Sequence, residues 1–155
     1  MKRVILIVMI FSMFIIMCGC NLGVDMPFNG VATFHEITIT IPDDFLRDST
    51  QSNQDLWCFE KDRYSQMIIL QRKDAGSDVS ASLDDYVAYM TEQGCNSQRT
   101  SFRHLDAVHT TYTKDGQYCQ EMLFNLNESL YAIALRGGTE DSFVTLLESV
   151  VLPSV

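Results

Sequence analysis

The feature that most limits what this chain of 155 residues can build is its first twenty residues. Lys2 and Arg3 make a short basic start. Residues 4–17 are apolar apart from Ser12, and the run ends in Met17-Cys18-Gly19-Cys20 before polar sequence begins at Asn21. A basic start, an apolar middle and a small residue ahead of a cut are the layout of a secretory leader. Such a segment does not join the fold. A cut after Gly19 leaves residues 20–155, which is 136 residues. That length suits one domain with its own core and is too short for two.

The Gly19-Cys20 junction resembles the lipobox of bacterial lipoproteins. The resemblance implies that residues 1–19 are a lipoprotein signal peptide, cut by signal peptidase II between Gly19 and Cys20, and that Cys20 carries a diacylglyceryl thioether. The chemistry fits, because the modification needs a nucleophilic sulfur and only cysteine supplies one. Two acyl chains give stable attachment where one anchors marginally. The implied location is the bacterial cell membrane, outward-facing and lipid-anchored, with the bilayer itself as one partner. Two other readings use the same residues. One is an uncleaved anchor, although a spanning helix wants about 20 apolar residues and this run is shorter. The other is plain secretion. All three put the folded part outside the cytoplasm.

The whole chain carries eleven basic and twenty acidic residues, a net charge of −9, which becomes −11 once Lys2 and Arg3 leave. Such a surface repels nucleic acid and anionic headgroups, so nucleic acid is not expected as a partner. Of five cysteines, Cys58, Cys95 and Cys119 belong to the folded part. An odd number allows one disulfide with one free thiol, or none. Spacings of 37 and 24 residues match no compact metal signature. Cys58, between Trp57 and Phe59, reads as a buried small hydrophobe. Cys95, just past a helix in polar sequence, is the candidate exposed thiol.

Residues 20–32 read as lipidated N-terminus and tether, since Gly23, Pro27 and Gly30 argue against regular structure, and one domain follows over 33–153. Alternation marks a first strand at 33–41, with His35, Ile37, Ile39 and Ile41 on one face. Pro42 ends it, and Phe45 plugs the turn that follows. Residues 47–54 read as polar loop, 55–60 and 65–71 as the next two strands. Met67-Ile68-Ile69-Leu70 is continuously apolar, as in a central strand covered on both faces. After a polar loop at 73–81, Ser82 is the expected N-cap of a helix over 83–93 that stops at Gly94. Strands at 99–104, 106–113, 117–125 and 129–135 then form a meander, with Asp115-Gly116 and Asn127-Glu128 as tight turns. Thr139 caps a final helix at 140–150, whose buried stripe is Phe143, Leu146, Leu147 and Val150. Short turns between strands demand a largely antiparallel sheet, and two amphipathic helices can cover it, giving the α+β class.

Several local patterns carry a further resemblance. They are the strand leading into Pro42-Asp43-Asp44-Phe45, the Ser82-Leu83-Asp84-Asp85-Tyr86 helix start, and the hairpin at Asp115-Gly116. The strand at 130–136 and the helix at 140–150 complete them. In this order they resemble the PsbP-like superfamily, which includes the extrinsic photosystem II subunit, a Ran-binding nuclear-import protein and small bacterial lipoproteins. The resemblance covers about residues 33–153 and implies a PsbP-like α/β/α sandwich with helices near 83–93 and 140–150 over the sheet. It implies docking, and no catalytic motif. No residue here matches the photosynthetic or nuclear roles.

Chemistry-bearing residues are sparse. His35, His104 and His109 are the only histidines, and none stands in an H-x-x-H or H-E-x-x-H array. His104 ends one strand and His109 lies in the next, so the two can meet across a turn, with Asp106 between them. Together with a carboxylate such as Glu121 they define a hydrolase-like alternative. The acidic loops at Asp43-Asp44 and between Asp74 and Asp78 define a cation-binding alternative, although no Asp-x-Asp-x-Asp-Gly loop is present. Gly137-Gly138 ahead of a helix could offer amides to an anion. Tyr112, Tyr118 and Tyr131, with His104 and His109, make the candidate binding surface, unless the tyrosines underlie a helix as core. Neither a cofactor nor a metal is called for. The sequence therefore points to a membrane-tethered extracytoplasmic docking module with a protein partner outside the cytoplasm.

Overall fold

A computed structural model describes residues 26–27, 30–74 and 79–153. The expected signal peptide and the Gly19-Cys20 junction lie outside the described residues. The strands are β1 Met26–Pro27, β2 Gly30–Phe34, β3 Ile37–Ile41, β4 Leu46–Asp48, β5 Leu56–Lys61, β6 Gln66–Asp74, β7 Asn96–Phe102, β8 Leu105–Lys114, β9 Gln117–Leu126 and β10 Ser129–Arg136. Two helices join them, α1 Val79–Glu92 and α2 Glu140–Glu148.

Eight strands form one antiparallel sheet in the order β1-β4-β5-β6-β10-β9-β8-β7, and β2 and β3 form a separate hairpin. Period-two side chains divide the sheet into two faces. On one face α1 lays Leu83, Tyr86 and Met90 on Val108, Leu123, Leu130 and Ala132. On the other face α2 and the β2–β3 hairpin share the cover. Phe143, Leu146 and Val150 of the α2 segment meet Phe34, Ile37, Ile39 and Ile41 of the hairpin over Phe59, Ile68, Phe124 and Ile133. This is the expected α+β sandwich, a large antiparallel sheet between helices. β6 is central, and Met67, Ile68, Ile69 and Leu70 are all buried, as their unbroken apolar run requires.

Turn chemistry sets the meander. Arg103-His104, Asp115-Gly116 and Asn127-Glu128 all have positive φ at both central positions, the hairpin conformation that matches strand twist. α1 ends as expected at Gly94 (φ +79°), where the Gly94 N–H donates to the Thr91 carbonyl and the Cys95 N–H to that of Met90, each at 2.9 Å. Thr139 caps α2 by accepting the Ser142 N–H at 3.1 Å, and Ser142 Oγ receives the Thr139 N–H at 2.8 Å.

Several expectations are corrected. The single strand at 33–41 is a hairpin, because His35 turns left-handed (φ +53°) and sends Ile37 back along Phe34. In its described part the tether is strand: Met26 and Pro27 pair with Arg47 and Leu46, and β2 starts at Gly30. Leu46–Asp48, read partly as loop, pairs with β5. α1 begins at Val79, so Ser82 is a buried residue inside the helix and not its cap.

Register also decides the disulfide question. Tyr112 pairs with Cys119, and Asn96 pairs with Thr111, so Cys95 flanks Tyr112 from the other side. Cys95 and Cys119 are thus two strands apart, about 10 Å, beyond the roughly 7 Å a disulfide spans. Cys58 on β5 is separated from β9 by β6 and β10. No disulfide joins Cys58, Cys95 and Cys119, and Cys95 is half-buried against the α1 layer where an exposed thiol was expected.

Candidate functional site

The five residues of the expected binding surface do not share one. Tyr112 is half-buried on the α1 side of the sheet. Tyr131 is on the opposite side and fully buried, stacked on Phe124 with ring centroids 5.7 Å apart. His109 is on that second side too, half-buried, its ring stacked on Phe143 at 5.8 Å. Tyr118 is exposed at the start of β9. His104 occupies the β7–β8 turn (φ +71°), five residues along an extended strand from His109, or about 16 Å. Alternation in the sequence gives each strand's sidedness. It does not say which side a helix will cover.

The same geometry separates the parts of the hydrolase-like alternative. Glu121 points to the α1 side, away from His109, and accepts a hydrogen bond from the Tyr86 hydroxyl at 2.7 Å. Burial outweighs that bond and raises the Glu121 carboxyl to about 7. The Tyr86 and Tyr112 phenols are pushed up by burial, and so are the Cys95 and Cys119 thiols. Both cysteines are therefore protonated and poor nucleophiles. Burial lowers His109, with Glu140 opposing, so its imidazole is neutral at pH 7. Among the described residues, no group of three His, Cys, Asp or Glu side chains could hold a metal ion. Asp44 is taken by Lys61, and Asp74 by Arg72 at 2.6 Å. Asp78 lies outside the described residues.

Gly137 has a packing role in place of the anion role. Its N–H donates to the Tyr118 carbonyl at 2.8 Å. A Cβ there would collide with the Ser65 carbonyl, and its φ is +74°.

Among the described residues, two clefts flank α2. The first, about 410 Å³, runs between α2, β3 and the end of the β5–β6 hairpin. Its floor is the buried apolar set Phe45, Ile68, Leu135 and Leu146. Its wall is the stripe Ser142, Thr145 and Ser149 of the α2 segment, facing Thr40. The Ser142, Thr145 and Ser149 hydroxyls donate to the carbonyls of Thr139, Asp141 and Leu146 at 2.7–2.9 Å. They retain only acceptor capacity. The Asp44–Lys61 ion pair stands at the mouth, and the Lys61 hydrogen bond holds the Asp44 carboxyl below its usual range. The second cleft, about 620 Å³, is lined by Arg103, His104, Leu105, Leu126, Glu148 and residues 150–153. His104 is the one expected surface residue that lines either cleft.

The first cleft is bounded by a stiff turn. Asp62, Arg63 and Tyr64 all have positive φ. Such backbone persists only when its surroundings over-determine it. Here the Tyr64 N–H donates to Glu60 at 2.8 Å, the Tyr64 hydroxyl to Asp48 at 3.2 Å, and the Gln117 amide to the Tyr64 and Ser65 carbonyls. A turn at Asp62-Arg63, between the strands at 55–60 and 65–71, was legible in the sequence; its left-handed backbone and the hydrogen bonds that hold it were not. Phe45 was, as the plug of its turn. The α2 hydroxyls at i, i+3 and i+7 lie outside the apolar stripe expected of that helix.

No protein-family model matches the sequence, and no curated protein matches it. The fold does resemble solved structures. One is the solution structure of cyanobacterial PsbP (CyanoP) from Synechocystis sp. PCC 6803, at TM-score 0.56 and 12% identity, covering 88% of this chain and 99% of that one. Another is a crystal structure of a protein from Bacteroides thetaiotaomicron, at TM-score 0.52 and 9% identity, covering 82% of this chain and 50% of that one. The chain thus spans half the length of the second. At these identities the likeness is one of fold: the domain has a PsbP-like fold. Among the described residues, no helix is long and apolar enough to cross a membrane.

Proposed function

We propose that this chain is a membrane-tethered extracytoplasmic lipoprotein whose domain docks a protein partner and performs no catalysis. The tether is the acylated Cys20 in the bilayer, released from its leader by the cut after Gly19. The observation that carries the docking reading is the open apolar cleft beside α2. The polar side chains that would be needed for chemistry are instead divided between the two faces of the sheet. The PsbP-like fold supports the reading as an architecture, and the acidic surface argues against nucleic acid as the partner.

The test is made on the full-length protein in its own membrane. Mass spectrometry of the mature N-terminus should find a diacylated Cys20, and Cys20→Ala should leave the membrane fraction. Crosslinking from the lipidated protein should trap a reproducible protein partner. An unacylated N-terminus beyond Cys20, or a domain found in the cytosol, overturns the reading.

A further inference from the structure

We infer that the cleft between α2 and the β5–β6 turn seats one apolar side chain of a partner segment that carries lysine or arginine beside it. The inference rests on the docking reading and names the partner's chemistry at that site. Three observations lead to it.

The first is the cleft's size and lining. Its roughly 410 Å³ lies near the lower end of ligand pockets, and its floor is apolar. The second is the state of its hydroxyls. Each α2 hydroxyl's hydrogen already goes to a backbone carbonyl, so that wall offers no donor to an anionic or carbonyl-rich ligand; the donors left in the lining are Thr40, Gln66 and Lys61, the last paired to Asp44. Along the α2 wall an aliphatic or aromatic side chain leaves nothing unsatisfied, whereas a carboxylate laid there would find no donor.

The third is charge. Asp43, Asp44, Asp62, Glu140, Asp141 and Glu148 are exposed, each lining the cleft or adjoining a lining element. Against these six carboxylates stand Lys61, already paired to Asp44, Arg63 at the tip of the stiff turn, Arg136, already paired to Asp115, and Arg103, which donates to the Glu148 carbonyl. The rim therefore draws a cation toward an apolar anchor point. A second copy of this chain, at −11 once its leader is removed, is repelled by the same field, as is an anionic lipid surface. The turn's over-determined backbone keeps the mouth in place, so little ordering is required when the segment binds.

The experiment uses the full-length protein in zwitterionic phosphatidylcholine nanodiscs, with the Ile and Leu methyl groups observed by NMR. The probe is the capped peptide Lys-Lys-Phe-Lys-Lys, with Lys-Lys-Ala-Lys-Lys and Glu-Glu-Phe-Glu-Glu as comparisons. The Phe peptide should shift the Ile68, Leu135 and Leu146 methyls saturably. The Ala peptide should bind about tenfold more weakly, as loss of an aromatic anchor requires. Glu-Glu-Phe-Glu-Glu should bind less tightly than the lysine peptide. Thr145→Trp, at an exposed position on the wall, should block the shifts while the melting temperature holds. Asp43→Asn with Asp141→Asn should weaken binding roughly threefold, as expected of exposed charges.

Shifts elsewhere, no shifts, equal binding of the lysine and glutamate peptides, or peptide-free shifts that grow with protein concentration would each overturn the inference. The last would point to a second copy. If the cleft stays empty while crosslinking still traps a partner through another surface, this inference fails and the docking reading stands. If no partner is trapped, the docking reading fails whatever the peptides do.

Discussion

Glu121 gives the sharpest physical test of the packing, because a buried carboxyl makes stability depend on pH with a definite sign. The group is 1% exposed between the sheet and α1, with the Tyr86 hydroxyl as its hydrogen-bond donor. Its carboxyl is raised from 4.5 to about 7 by burial. The folded state therefore holds the proton more tightly than the unfolded chain does. The contribution is fully present below about pH 4.5, is lost as pH rises through about 7, and changes no further above that. At 1.36 kcal/mol per unit the loss across the window is about 3 kcal/mol. Tyr86, Tyr112 and Cys95 are all pushed upward, so none of them titrates in that window. Glu121→Gln keeps an acceptor for Tyr86 and removes the charge. Urea unfolding of both proteins from about pH 4 to about pH 8.5 gives a difference curve in which all other titrations cancel. The two should be nearly equal in acid, and the variant should become more stable by about 3 kcal/mol above neutrality. A difference that stays flat within about 0.5 kcal/mol would refute the buried, protonated carboxyl.

The remaining expectations concern backbone and thiols. Gly137→Ala should cost about 3 kcal/mol or more in urea unfolding, since it combines a left-handed φ with a collision against the Ser65 carbonyl. Gly116→Ala, equally left-handed but in open space, should cost only about 1 kcal/mol. Thr139→Ala should lower stability by about 1 kcal/mol through loss of the α2 cap, and Thr139→Ser should restore most of it. Alkylation of the native protein should leave Cys58 and Cys119 untouched and modify Cys95 slowly. A disulfide between any two of them would contradict the strand register.

Much of the architecture was legible because local and tertiary preferences agreed. The β8–β9 hairpin carries Asp115-Gly116 at the two positions that need positive φ, and α2 carries a threonine cap ahead of a clean apolar stripe. The failures have a common physical origin. His35 and Glu36 are not turn formers, so the only mark of the β2–β3 turn is a change of phase: Ala32 and Phe34 are buried before it and Ile37, Ile39 and Ile41 after it, which one straight strand would put on opposite faces. It is tertiary packing of Phe34 against Trp57 and Tyr131 that rewards the reversal. β4 is three residues long and polar, held by its neighbours and not by propensity. The cleft was invisible for a similar reason. Its floor joins residues from four distant stretches, and only the placement of α2 across the sheet brings them together. The tyrosines were misjudged because Tyr131 and Tyr112 differ in environment only through what lies above each face.

The pairing of β6 with β10 has a consequence for how the chain reaches this structure. It joins Met67 to Arg136 and Asp74 to Ser129, residues 69 and 55 positions apart. The β5–β6 and β7–β8–β9–β10 pairings on either side of it are local hairpins. Closing a loop of that length costs about 3.5 kcal/mol beyond a constant. The sheet is therefore two quickly formed arms and one slow seam. Until the seam closes, the runs Met67-Ile68-Ile69-Leu70 and Leu130-Tyr131-Ala132-Ile133 are open strand edges, and they are where a nascent copy of this chain is most exposed to misassembly with its neighbours.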